Sequence, residues 1–251
     1  MKKITLTTAA LLVSTAVLGA TQAFAADPTT DTNATVSFKA DDLGDGSSTD
    51  PTDPEGGGIV PGPGEGSSTT GPLRFDFVPN FSFGEQKISG GDKSYHPLMV
   101  STFKVVDGVQ TTDKKYVPHY VQVTDNRGTN EGWSVTASRT DFKTPDEGDE
   151  ILGATLTLTN GVVKGNKDAD LTLIPAIPQS VEISNTPSNV MTAAKDKGMG
   201  SWVTSFGSEA GTEATDVNPN VTLAVAAKSK KYAKAYSSTI TWTISAAPAV
   251  N

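Results

Sequence analysis

The chain has 251 residues, 28 of them acidic and 20 basic, with no cysteine and 36% hydrophobic residues. The missing cysteine excludes a disulfide scaffold, a thiolate zinc site, a cysteine nucleophile and a lipid-modified cysteine anchor. A formal charge of −8 argues against a nucleic-acid binder, which needs a basic surface to displace phosphate counterions.

Residues 1–25 read as an export signal. Lys2 and Lys3 precede an uncharged apolar run, and Ala23-Phe24-Ala25 supplies small residues for cleavage after Ala25. Without this segment the formal charge is −10. At the other end, Ser245 to Asn251 shows no hydrophobic span, basic stop-transfer tail or LPxTG-type sortase signal, so non-covalent attachment is the expectation.

Residues 26–251 are expected to form a single domain. Ala34, Val36 and Phe38 alternate with Thr35, Ser37 and Lys39, the period of a strand with one apolar face. Nothing nearby can pair with it, so 34–39 is expected to pair with the main domain. Residues 41–70 then hold seven acids, no base, eight glycines and four prolines. That composition cannot bury a core and predicts a disordered acidic excursion, a spacer rather than a cation trap. Residues 71–251 carry 17 bases and 19 acids, so the acidity belongs mostly to the tract.

From residue 73 onward, strand follows strand. Candidates are 73–78, 120–124, 133–137, 154–159 with an Asn160-Gly161 turn, 180–183 and 221–225. The clearest is the last, with Tyr236, Ser238, Ile240, Trp242 and Ile244 on one face and Ser237, Thr239, Thr241, Thr243 and Ser245 on the other. Only 189–197 reads as a short helix, with Ala193-Ala194 inside and Gly198 as its stop. The class is therefore all-β, an antiparallel β-sandwich with one short helix, or alternatively a barrel.

No catalytic constellation forms, and neither a metal nor another cofactor is expected. His96 and His119 belong to no His-Glu-x-x-His motif, and no Gly-x-Ser-x-Gly elbow is present. His119 reads as a surface or edge residue. Asn166 to Asp170 begins like a calcium loop but lacks the turn glycine and distal glutamate. Asp146, Glu147, Asp149 and Glu150 form a carboxylate cluster that reads as a solvated loop, and no enzyme activity is expected.

The tryptophans carry the remaining signal. In Trp133-x-Val135 and Trp242-x-Ile244 the intervening residue puts tryptophan and aliphatic on one strand face. Either pair can be core, or an indole can serve as a sugar-stacking platform. The second pair is framed as Tyr236-x5-Trp242-x-Ile244-x3-Pro248. Three other segments accompany these pairs: Val78-Pro79-Asn80-Phe81-Ser82-Phe83-Gly84, Val121 to Gly128 (ending Asp125-Asn126-Arg127-Gly128), and Gly198-Met199-Gly200-Ser201-Trp202.

In this order, behind an export signal, the set resembles the WxL domain of cell-surface proteins in low-GC Gram-positive bacteria. Val135 and Ile244 stand where leucine is usual, and both are apolar and suited to a strand. The resemblance implies a secreted, non-enzymatic module at the cell wall and cell surface, with peptidoglycan as ligand. It also implies companions: a membrane-anchored WxL-interacting protein and larger WxL proteins. Direct peptidoglycan binding and assembly as a structural or adhesive subunit held by a companion both stay open.

Overall fold

Branched and aromatic residues alternating with Ser and Thr favour a pleated surface that is dry on one side, and sheets form wherever two such surfaces can meet. The structure, a computed structural model, describes residues 32–41, 48–146 and 148–247. The positions Ala25, Glu147 and Pro248 lie outside the described residues.

The strands in chain order begin with β1 (Ser48–Thr49), β2 (Gly58–Pro61), β3 (Gly66–Ser67) and β4 (Leu73–Pro79). Next come β5 (Lys93–Tyr95), β6 (Val100–Val106), β7 (Val109–Val117), β8 (Tyr120–Asp125) and β9 (Trp133–Arg139). The series continues with β10 (Thr155–Thr159), β11 (Gly161–Gly165), β12 (Ser180–Ile183) and β13 (Ser188–Ala193). It ends with β14 (Gly200–Phe206), β15 (Val221–Val225) and β16 (Ile240–Ser245). They form sheets ordered β1-β2-β6-β7, β12-β10-β15-β5, β11-β14-β8-β4-β3 and β13-β9-β16. Among the described residues every ladder is antiparallel, and no sheet closes into a barrel. The architecture is an antiparallel β-sandwich.

The five-stranded sheet is covered on both faces. Phe75, Val121, Val123, Trp202 and Phe206 turn one way into the main core, where they meet Trp133, Val135, Ala137, Leu156, Leu158, Ile183 and Met191 of the facing sheets. Phe77, Tyr120 and Val203 turn the other way and pack under Ile59, Val100 and Val117. Strand β8 is accordingly buried along its whole length.

Three sequence expectations are corrected. Residues 189–197 do not form a helix: Val190, Met191 and Ala193 are buried in β13 against β9, so tertiary pairing overrides the alanine-rich local preference. The helical content of the described residues is one 3-10 turn, Leu171–Leu173. Within the acidic tract, residues 48–70 are ordered, because β2 and β3 borrow hydrogen-bond partners from β6 and β4. Its Asp50 is buried, accepting a 2.5 Å bond from Lys115 Nζ and a 2.9 Å bond from Thr52 N–H. Residues 34–39, expected as a strand, carry no regular structure and are exposed, with Val36 at 79% and Phe38 at 90% exposure. Contacts divide the chain into units 1–37 and 38–251.

His119 is a fourth correction, since it is buried rather than on the surface. Its ring stacks on Phe81 with centroids 4.8 Å apart. The side-chain amide nitrogen of Asn218 lies 3.2 Å from Nδ1 and also donates to Phe206 O at 3.0 Å, so Nδ1 is the acceptor and the ring is neutral. Burial pushes the imidazole down to about 3, against the raising effect of a hydrogen bond to the Asn80 backbone. The unfolded chain therefore takes up the proton first, and the contribution is complete above pH ~6.5 and lost as pH falls. Stability is expected to drop by up to about 1.4 kcal/mol per pH unit through this window. Glu65, raised by burial, works in the opposite sense. Urea unfolding of the protein and of His119→Gln at pH 7 and 4.5 isolates the term, with the variant showing the shallower loss.

Candidate functional site

The two Trp-x-aliphatic tripeptides lie on adjacent strands. β9 sits between β13 and β16, and the register places Ile244 opposite Val135 and Trp242 opposite Ala137. All four named side chains therefore share one sheet face, the aliphatics meeting and the tryptophans lying to either side of them. Position in the sheet separates their roles. Trp133, on the central strand, is fully buried and donates its indole N–H to Gly198 O at 3.0 Å. Trp242 and Ile244, on the edge strand, are half-buried.

Two of the other motifs serve this sheet. Arg127 forks onto Asp125 with Nε at 2.9 Å and a terminal nitrogen at 2.7 Å. It also donates to Gly132 O (2.7 Å) and Ala246 O (3.1 Å), tying the start of β9 to the end of β16. The Asp125 carboxylate beside it raises the guanidinium pKa further. The Gly198 to Trp202 motif receives the Trp133 indole, and Trp202, itself buried, donates to Met199 O at 2.9 Å.

The remaining motifs converge on an open groove of about 1480 Å³. Phe75, Val78, Leu156, Leu223 and Val225 are its buried apolar lining. Phe81 and Phe83, from the Val78 to Gly84 segment, line one part, and Tyr232, Tyr236 and Trp242 line another. Tyr95 and Phe142 add further rings, Lys87, Lys231 and Lys234 add cations, and Glu85 adds a carboxylate. Small-molecule pockets run to roughly 1,000 Å³, so the groove has room for an extended or oligomeric ligand. Its ring faces, interspersed with Asn80, Gln86, Ser237 and Ser238, suit a neutral ligand that is apolar on one side and hydroxylated or amidic on the other.

The aromatic loop 231–239 is braced by backbone and charge. Lys143 and Ser237 exchange two backbone hydrogen bonds of 2.9 Å, Lys234 pairs with Asp149 at 3.0 Å, and the Tyr236 hydroxyl accepts from Tyr232 N–H at 3.0 Å. Glu150 faces Lys143 at 3.5 Å. Two members of the carboxylate cluster are thus engaged as rim braces.

The other chemical candidates have structural partners. Asp170 accepts from Thr172 N–H (2.9 Å) and Oγ1 (2.7 Å), which holds its carboxyl below the usual range. His96 donates from Nδ1 to Val221 O at 2.8 Å. Among the described residues no group of three or more His, Cys, Asp or Glu is placed to hold a metal. No described helix is long and apolar enough to cross a membrane. Tyr95, Phe142 and Tyr232 are groove residues that sequence reasoning missed, since each comes from a strand end or loop without apolar periodicity.

An all-β sandwich that buries one tryptophan of a paired motif and opens an aromatic groove at the other is a binding module. The family model of the WxL domain, described as surface cell wall-binding, matches residues 25–248, and the chain belongs to that family. It is thereby a cell-wall-binding protein of the cell surface. No curated protein and no solved structure matches the chain.

Proposed function

We propose that the chain is exported with removal of residues 1–25, has no enzymatic activity, and holds to peptidoglycan non-covalently through the aromatic groove. The observation that carries this reading is that the Val78 to Gly84 and Tyr236 to Trp242 segments line the same open groove. Charge favours a neutral ligand. A chain of formal charge −8, or −10 without Lys2 and Lys3, is repelled by anionic wall polymers, which leaves ring stacking and hydrogen bonds to glycan or peptide as the attraction.

The test is sedimentation of the mature protein with cell walls stripped of all other protein. The unsubstituted protein is expected to sediment. Tyr236→Ala combined with Trp242→Ala is expected to weaken retention about tenfold or more, as for aromatic anchors worth at least ~1.4 kcal/mol, while its circular dichroism stays native. Failure of the unsubstituted protein to sediment would transfer wall binding to a companion such as a membrane-anchored WxL-interacting protein. The chain would then be the structural or adhesive subunit.

A further inference from the structure

Among the described residues strand β16 has a ladder partner on one side only. Thr140 N–H donates to Thr239 O at 2.9 Å, and the register continues as Ile240 opposite Arg139, Thr241 opposite Ser138 and Trp242 opposite Ala137. In an antiparallel ladder hydrogen-bonded and non-bonded pairs alternate. The N–H and C=O of Thr241 and Thr243 therefore turn towards β9, and those of Ile240, Trp242 and Ile244 turn outward.

Other strands that end their sheets are guarded. β5, β7, β11 and β12 carry Lys93, Lys114, Lys164 and Glu182. The outer side of β13 is bridged by Ala176, which exchanges backbone hydrogen bonds of 2.7 and 2.8 Å with Thr192. Charge and cover of this kind keep sheet edges from joining. On β16 Arg127 covers only the far end, at Ala246 O, and no charged side chain occurs between Ala235 and Ala247 in a chain of formal charge −8. Two copies can meet along this strand without the like-charge repulsion that the rest of an acidic surface imposes.

The strand is also its own complement. Outward from Trp242 the sequence is the same in both directions: a threonine (Thr241 and Thr243), an isoleucine (Ile240 and Ile244), then a hydroxyl residue (Thr239 and Ser245). Two antiparallel β16 strands related by a two-fold axis at Trp242 set Trp242 opposite Trp242, Ile240 opposite Ile244 and Thr241 opposite Thr243 of the second copy. Ile240, Trp242 and Ile244 are the residues whose backbone groups point out, so the register that matches the side chains also makes these the hydrogen-bonded pairs. A two-fold interface must be self-complementary, and β16 is so in side chains and backbone alike. We propose that a second copy of this chain pairs with β16, joining the two β13-β9-β16 sheets into one continuous antiparallel sheet.

Side chains directly opposite each other in a ladder share a face. The half-buried Ile240, Trp242 and Ile244 thus meet their counterparts on one face, aromatic beside aromatic, and the exposed Thr241 and Thr243 meet on the other. The axis stands perpendicular to the joined sheet, so both copies turn the same face the same way. Ile240 and Trp242 line the groove, which sets the two grooves on the same side of that sheet. With the groove as the wall-binding surface, a dimer holds the wall at two points and its retention rises by avidity. The pairing itself does not depend on what the groove binds.

Sedimentation equilibrium of the chain without residues 1–25, with no wall present, tests the pairing. The mass should rise from one chain to two with concentration. Over the same range the Trp242 and Ile244 amides should gain protection from hydrogen exchange, while those at 241 and 243 stay slow throughout. Thr241→Lys with Thr243→Lys sets like charges opposite each other across the axis and should weaken the dimer about tenfold or more, whereas Thr241→Lys with Thr243→Glu sets opposite charges there and should restore it. Both variants change the same exposed positions, and slow amides at 241 and 243 report an intact β9–β16 ladder in each. A mass of one chain up to about 1 mM would overturn the proposal. So would a dimer that survives the two lysines, which places the contact elsewhere, or Trp242 and Ile244 amides that stay protected in the monomeric double-lysine variant, which assigns the edge to another segment of the same chain.

Discussion

Trp133→Ala is expected to destabilise the domain by about 3–5 kcal/mol, and Trp242→Ala by no more than about half of that, although both residues open the same tripeptide. Trp133 has no exposed surface and its indole N–H bonds a buried carbonyl, so truncation leaves a large cavity and orphans Gly198 O. Trp242 stands on an edge strand, half-buried, and its removal widens a groove that is already open. Urea midpoints of the two variants at equal m-value separate the cases. Equal losses would show that the β16 edge is covered as fully as β9, contrary to this placement of the two tryptophans. The contrast also governs wall-binding experiments. With total stabilities of about 5–15 kcal/mol, Trp133→Ala removes about a fifth or more of what holds the fold. Lost wall retention in that variant therefore speaks of unfolding, and in Trp242→Ala of contact.

Sequence pattern was informative where one strand face is wet. The alternation in β10, β15 and β16 placed those strands because Thr, Ser or, in β15, Ala224 returns every second residue between larger apolar side chains. It was less telling for β8, where Gln122, Thr124 and Asp125 are as buried as Val121 and Val123 because a second layer covers them. It failed at 189–197, where Ala193-Ala194 and Gly198 imitate the end of a helix. There Gly198 has φ of 73° in the turn between β13 and β14, and Ala193 pairs with Trp133. The acidic tract misled in another way. Composition registered Asp50 as charge seeking water, whereas Lys115, far along the chain, neutralises it in place. For the groove, Tyr236 and Trp242 were visible as a framed motif. Tyr95 and Phe142 arrive through the pairing of Tyr95 with Leu223 and of Lys143 with Ser237. Such pairings are long-range, and no local pattern announces them.

The second large effect concerns a single methyl group. Gly198→Ala is expected to cost about 2–5 kcal/mol, approaching the loss of the whole Trp133 side chain. Two contributions add. Gly198 has φ of 73°, a left-handed conformation that costs an L-residue roughly 1–2 kcal/mol. A β-carbon there would also lie 2.4 Å from Ala193 Cβ and 2.6 Å from Trp133 Nε1, and overpacking of this kind costs about 1–3 kcal/mol. Neither neighbour can yield cheaply. Ala193 is held in the β13–β9 ladder, and the indole is enclosed in the core with its N–H on the Gly198 carbonyl. Gly200 provides the internal control, because its φ is 81° but nothing lies within 4 Å of the position its β-carbon would take. Gly200→Ala should therefore cost only the backbone contribution. The difference between the two variants, about 1–3 kcal/mol by denaturant unfolding, measures how tightly the indole is seated. Equal costs would remove the seat as the reason for glycine at 198. A difference of the expected size assigns the Gly198 to Trp202 segment to holding Trp133, and through β9 to positioning β16, whose exposed side is left for the groove.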